Sequence, residues 1–197
     1  MKRIGIIGGI GPESTVDYYK RIIGAFQNNG IGPEYPEIIV YSVNLAELMQ
    51  ILEKQNLSKL ADRLVEKVDT LFKAGAEFAV IGSNTPHVVF NEVRSRSPIP
   101  MLSIVEATCK KAFYLGLKKP GLMGTKFTMK SDFFHKPFHE RGIPVVLPGK
   151  EDQELIHHRI FSEIELGIIK DSTREDLLSL ALKKKRKRFS FMKRALT

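Results

Sequence analysis

A chain of 197 residues with 43% hydrophobic and 27% charged side chains has the composition of a folded protein and is long enough to bury a core, which excludes a disordered chain. No apolar run approaches the ~20 residues that cross a bilayer, and the glycine-broken run at 4–10 is followed by Pro12-Glu13 rather than a cleavage site, so neither a membrane span nor a signal peptide is expected. The net charge of +9 sits almost wholly in residues 183–197; elsewhere 23 basic side chains face 22 acidic ones, which argues against a basic nucleic-acid-binding body.

Alternation of β-branched runs with helix-period stretches predicts a parallel α/β architecture. Residues 4–8 read as a buried strand and 14–26 as a helix, with Val16, Tyr19, Ile22, Ile23 and Phe26 on one face. A second strand spans 38–43. Residues 57–73 form a strongly amphipathic helix with Leu57, Leu60, Leu64, Val68, Leu71 and Phe72 inward. The third strand, 78–82, delivers Ser83-Asn84-Thr85 at its C-terminal end, and Pro86 suits the first turn of a following helix.

Ser95-Arg96-Ser97-Pro98-Ile99-Pro100 punctuates the chain and marks a lobe boundary, giving a first lobe over 1–97 and a second over 98–182. In the second the rhythm restarts. Strands are expected at 101–105, 119–124 and 144–147, and helices at 106–114, 127–141 and 152–166, the last with Ile156, Ile160 and Ile164 in register. Ser172-Thr173-Arg174-Glu175 reads as a capping box for a final helix through Leu177, Leu178 and Ala181. The apolar period then stops where an α/β lobe would place another buried strand. Lys183-Lys184-Lys185-Arg186-Lys187-Arg188 opens a basic tail, 183–197, so the second lobe is expected to be incomplete. Truncation, or a frame change in an adenine-rich coding stretch, would account for the switch.

In open parallel sheets, ligands bind at the C-terminal ends of strands, where helix N-termini offer backbone N–H groups to anions. Three strand ends here are rich in small and hydroxyl residues: 8–15, 83–85 and 124–125. The first is not a dinucleotide fingerprint, because Gly9-Ile10-Gly11 is followed by Pro12-Glu13-Ser14, and the second strand ends at Val43-Asn44 without a ribose-binding acid. Tight turns without a ligand remain the plain structural alternative for these glycines. Glu13 reads either as a polar clamp or as a first-turn helix acid. His87 reads either as an orienting group or as a locally bonded histidine. His157-His158 has no acid or thiol at metal-ligand spacing.

Taken together, Ile7-Gly8-Gly9-Ile10-Gly11-Pro12-Glu13-Ser14-Thr15, Ser83-Asn84-Thr85-Pro86-His87 and Leu122-Met123-Gly124-Thr125-Lys126 resemble, in order and separation, the cofactor-independent aspartate/glutamate racemase family. The likeness covers residues 3 to 180. It implies an α/β fold of two Rossmann-like lobes with parallel sheets facing across a cleft, no pyridoxal phosphate, no metal, a small amino-acid or dicarboxylate substrate, a cytoplasmic location and a homodimer. It also implies two thiols flanking the substrate's Cα, because inverting a stereocentre needs a base on one face and an acid on the other. Ser83 stands where the family places its first cysteine, and Gly9, Gly11, Ser14, Asn84, Thr85 and Thr125 would bind carboxylate. The Gly-Cys-Thr-Glu turn that carries the second cysteine is absent, and Cys109 falls at a helix-interior position. Residues 44–50 contain no arginine, unlike the aspartate-selective branch. The expected function is racemase-like proton transfer at Cα, impaired in this chain. The alternatives are a carboxylate- or amino-acid-binding protein without the chemistry, and nucleic-acid binding through the tail with its Phe189 and Phe191.

Overall fold

The apolar run Ile4–Gly8 becomes β1 of a parallel sheet in this computed structural model, which describes residues 1–28, 34–185 and 190–191, the backbone alone at 183–185 and 190–191. The chain divides into two units, Met1–Ile104 and Val105–Thr197.

In the first unit β1 lies between β2 (Ile38–Ser42) and β3 (Phe78–Ile81), and β4 (Met101–Leu102) extends the sheet beyond β3, giving the order β2-β1-β3-β4. Ile4 pairs with both Ile38 and Phe78, and Ala79 with Met101. The crossovers are helical: α1 (Pro12–Asn28) after β1, then α2 (Leu45–Glu53) and α3 (Leu57–Lys73) after β2. A 3₁₀ turn over Thr85–Val89 and α4 (Phe90–Arg96) follow β3. The period-two alternation of the strands sends Ile7, Ala79 and Ile81 into one core with Leu60, Leu64, Val68 and Leu71 of α3 and Val93 of α4. Each fully buried leucine there contributes about 1.5–3 kcal/mol of burial free energy.

Two inward-facing assignments are corrected. Leu57 is 40% and Phe72 48% exposed, because Leu57 follows the Asn56 cap at the helix start and Phe72 lies in the final turn, beside rather than on the Leu60–Leu64–Val68–Leu71 stripe. In α1, Val16 and Tyr19 are likewise exposed; the half-buried stripe runs through Ser14, Tyr18, Ile22 and Phe26, one residue in four. The strand expected at 101–105 is only Met101–Leu102 and belongs to the first sheet, since the chain turns into α5 (Ile104–Tyr114) two residues later.

In the second unit α5 leads to β5 (Pro120–Gly121), α6 (Lys126–Lys130), α7 (Asp132–His139), α8 (Lys150–Ser162) and α9 (Asp171–Lys185). The helix expected at 127–141 is two helices, broken at Ser131, whose ψ of 139° is extended. The strand expected at 144–147 is a single bridge from Val146 to Gly121. β5 is short because Pro120 has no N–H to give a ladder. The segment expected to be strand-free contributes β6 (Ser190–Phe191), parallel to β5 with Pro120 opposite Ser190. Of the basic tail, residues 186–189, with Phe189, and 192–197 lie outside the described residues. No helix among the described residues is long and apolar enough to cross a membrane.

The expected capping box is also corrected. α9 begins at Asp171, and the Thr173 hydroxyl donates to the Glu163 carboxylate instead of capping the helix. Glu163 is 4% exposed and additionally accepts from Arg159 at 2.6 Å and Lys170 at 3.4 Å. The Thr173 bond first, then Arg159 and Lys170, hold this carboxyl down to about 2 from 4.5. A depressed carboxyl contributes stability at pH values above its unfolded pKa and loses it as pH falls through the folded value. Thermal melts of the wild type are therefore expected to fall between pH 4.5 and about 2 by more than those of Glu163→Gln, which has no charge to lose. Parallel pH curves for the two proteins would refute the assignment.

Candidate functional site

The C-terminal ends of β1 and β3 lie side by side in the sheet, and their turns are knitted together by the residues the sequence singled out. Gly9 and Gly11 have φ of 77° and 75°, left-handed values that favour glycine. A Cβ on Gly9 would also sit 2.6 Å from Ser42 Oγ and from Val43 O. The turn closes on hydroxyls. Gly9 N–H donates to Thr15 Oγ1 at 2.9 Å, and Ser14 Oγ–H reaches Gly11 O at 2.7 Å and Gly82 O at 3.0 Å. Ser14 thus joins the first turn to the residue preceding Ser83. Gly9 N–H and the Ser14 hydroxyl are engaged within the chain, so they brace the turn as found. Thr15, which sequence reasoning did not single out, is the acceptor that holds it shut; its position at the end of a glycine-rich turn was the available signal.

Ser83, Asn84 and Thr85 are half-buried at the end of β3. Asn84 Oδ1 is fully buried and has no hydrogen-bond partner among the described residues. A polar atom without a partner in such a place is uncommon in native proteins and is satisfied by water or by a group from outside the chain. His87 is 5% exposed, with Nδ1 2.8 Å from Ser83 O and Nε2 3.3 Å from Ile104 N. At the end of β2, Asn44 Oδ1 accepts from Ala46 N–H and so caps α2, a use consistent with the absence of a ribose-binding acid there. Glu13 is an exposed first-turn residue of α1.

Thr125 belongs to the second unit, where it caps α6: its Oγ1 accepts from Thr128 N–H at 3.1 Å. The next amide, Lys126 N–H, donates to His157 Nδ1 at 3.3 Å. Burial first, then the adjacent Lys126, pull the His157 imidazole below its ordinary pKa. Cys109 lies inside α5, 1% exposed, with its thiol donating to Pro137 O at 3.2 Å. Burial pushes that thiol upward, away from the thiolate a proton-transfer base needs. No group of three or more His, Cys, Asp or Glu side chains is placed to hold a metal ion among the described residues.

Comparison with known proteins identifies the family. The Asp/Glu/Hydantoin racemase family model matches residues 7–187. The broad specificity amino-acid racemase RacX of Bacillus subtilis is 31% identical over 150 residues, 73% of this chain; the chain spans 63% of that relative's length. The crystal structure of a protein assigned as an Asp/Glu racemase from Yersinia pestis superposes with a TM-score of 0.85 at 32% identity, covering 97% of this chain and 85% of the other. An aspartate racemase homologue from Pyrococcus horikoshii gives 0.81 at 37% identity, covering 95% and 81%. With the family model covering most of the chain and relatives above 30% identity, the chain belongs to the Asp/Glu/hydantoin racemase family.

Proposed function

We propose that the protein is a cofactor-independent, racemase-like catalyst of proton transfer at Cα of aspartate, glutamate or a related small α-amino acid, with weakened turnover. The observation that carries this reading is the buried, unpartnered Asn84 Oδ1 one residue beyond Ser83. An acceptor in that position suits the α-ammonium of an amino acid, which would bring the missing donor. Removal of the Cα proton leaves its electron pair on a planar carbanion, and a proton returned to the opposite face inverts the centre. With no cofactor as electron sink, hydrogen bonds to the substrate carboxylate must stabilise that charge. Thr85 is the proposed side-chain donor, and Gly9, Gly11 and Ser14 shape the wall against which the carboxylate rests.

Ser83 takes the proton-transfer position. A hydroxyl is a far weaker acid than a thiol at its ordinary pKa of about 8.5, and the chain's one thiol, Cys109, is buried in α5. These two facts support weak turnover, and they also favour a second reading, amino-acid binding without chemistry. Incubating the protein with aspartate and glutamate in D2O separates the two. The racemase reading expects deuterium at Cα above the buffer rate and lost in Ser83→Ala. Saturable binding with no deuteration would overturn it in favour of a binding protein.

A further inference from the structure

The buried His87 side chain does more than fill space. In a 3₁₀ turn its backbone N–H bonds Asn84 O at 2.9 Å, leaving the Ser83 carbonyl outside the helical ladder. The side chain takes that carbonyl: Nδ1 lies 2.8 Å from Ser83 O. On the far side of the ring, Nε2 faces the backbone N–H of Ile104 at 3.3 Å. That N–H belongs to the first residue of α5, one of the orphan donors every helix start must place. The ring is fixed between these contacts by stacking on Phe90, 4.8 Å between centroids and 4° from parallel.

One tautomer of the ring makes both contacts. An amide N–H can only donate, so Nε2 must be the bare acceptor, and the proton of the neutral ring must sit on Nδ1 and point at Ser83 O. A carbonyl held in this way fixes its whole peptide plane, because the peptide bond is planar and trans. The plane in question joins Ser83 to Asn84. Its orientation sets where the Ser83 side chain leaves the backbone and turns the Asn84 N–H to the side opposite the imidazole.

We propose that His87, as the neutral Nδ1–H tautomer, is a positioning residue that locks the Ser83–Asn84 peptide and ties it to the N-terminus of α5. The effect on catalysis rests on the racemase reading above; the lock itself does not. Three substitutions separate its parts. His87→Phe preserves the stack on Phe90 and removes both hydrogen bonds. His87→Asn places an amide donor near the Nδ1 position and so retains the Ser83 contact. His87→Gln reaches toward Ile104 with an acceptor and loses the Ser83 contact.

Imidazole nitrogen NMR on the wild type is expected to show His87 as a single neutral tautomer protonated at Nδ1. The Asn84 amide resonance is expected to move in His87→Phe and His87→Gln and to stay near its wild-type position in His87→Asn. Cα deuteration should fall about 10- to 100-fold in the first two through the rate at saturation rather than KM, as expected when a reacting group is displaced by about an ångström, with recovery in His87→Asn. A ring protonated at Nε2, or equal Asn84 shifts in all three variants, would overturn the proposal. If the wild type deuterates no amino acid, the racemase reading fails while the tautomer and amide signals still decide the lock.

Discussion

Replacing Ser83 by alanine is expected to lower Cα deuteration of the preferred amino acid by about 10²–10⁴-fold, the usual worth of a positioned proton-transfer group. Ser83 is half-buried at the end of β3, and its backbone is held by His87 and, one residue earlier, by Ser14, so losing one hydroxyl leaves the frame intact. The melting temperature should therefore stay within a few degrees of wild type while exchange falls. Ser83→Cys is expected to act in the opposite direction. A thiol is ionised at neutral pH to a degree that a serine hydroxyl never reaches. Mass-spectrometric deuterium incorporation measures both variants. Unchanged exchange in Ser83→Ala would remove Ser83 from the chemistry.

Gly9→Ala is expected to be the most damaging single-methyl change in the first unit. At φ 77° an alanine costs about 1–2 kcal/mol by backbone sterics alone. Its Cβ would also stand 2.6 Å from Val43 O and 2.7 Å from Val43 N, backbone atoms that cannot swing aside. Forcing such a contact adds about 1–3 kcal/mol, and the combined loss is large against a typical domain stability of about 5–15 kcal/mol. Gly116→Ala is the control. Gly116 shares the left-handed conformation, at φ 66°, but nothing lies within 4 Å of its added Cβ, so only the backbone cost applies. Urea unfolding of the two variants should rank them clearly, with Gly9→Ala the weaker. Equal midpoints would mean that the β1 and β2 ends do not hold the close contact described.

The elements legible in the sequence were those governed by local periodicity. β1, β3 and α3 are short apolar or strongly amphipathic runs, and their buried residues follow from their own spacing. The helix α2 is not among the expected elements, since residues 44–50 bear on the expected site only through the arginine they lack. The positive signal was there: Asn44 followed by Leu45, Leu48 and Ile51 is a cap before a helical stripe, and Asn44 Oδ1 does accept from Ala46 N–H. Residues 101–105 read as one strand because Ile104 and Val105 favour strands. They open a helix instead, and the first N–H of that helix meets His87, seventeen residues back in the chain. No local pattern encodes that partner; tertiary contact overrides propensity there. The strand β6 defied reading for a similar reason, since two residues after a cationic block carry no periodicity and only pairing with β5 defines them.

The glycine turn and the Ser-Asn-Thr strand end stand out in the sequence because small and hydroxyl residues gather at two strand ends that the sheet places side by side. Their individual roles were less so. Ser14 and Gly9, read as carboxylate donors, have their hydrogen atoms directed to Gly11 O, Gly82 O and Thr15 Oγ1. Asn84, read as a carboxylate donor, leaves a buried acceptor open, which fits an ammonium better. Composition names the polar residues of a turn; only coordinates tell which of their atoms face one another.

One-sided chemistry is the central claim, and it is tested most directly by stereochemistry. Enantiopure L-glutamate and L-aspartate are incubated with the protein in D2O, and chiral chromatography with mass detection follows both the label and the configuration at Cα. The expected result is slow deuteration with the starting enantiomer strongly predominant, as Ser83 acting as the single proton-transfer group would give. Rapid growth of the deuterated D-enantiomer at a rate matching total exchange would contradict it, because two faces of the carbanion would then be served equally well.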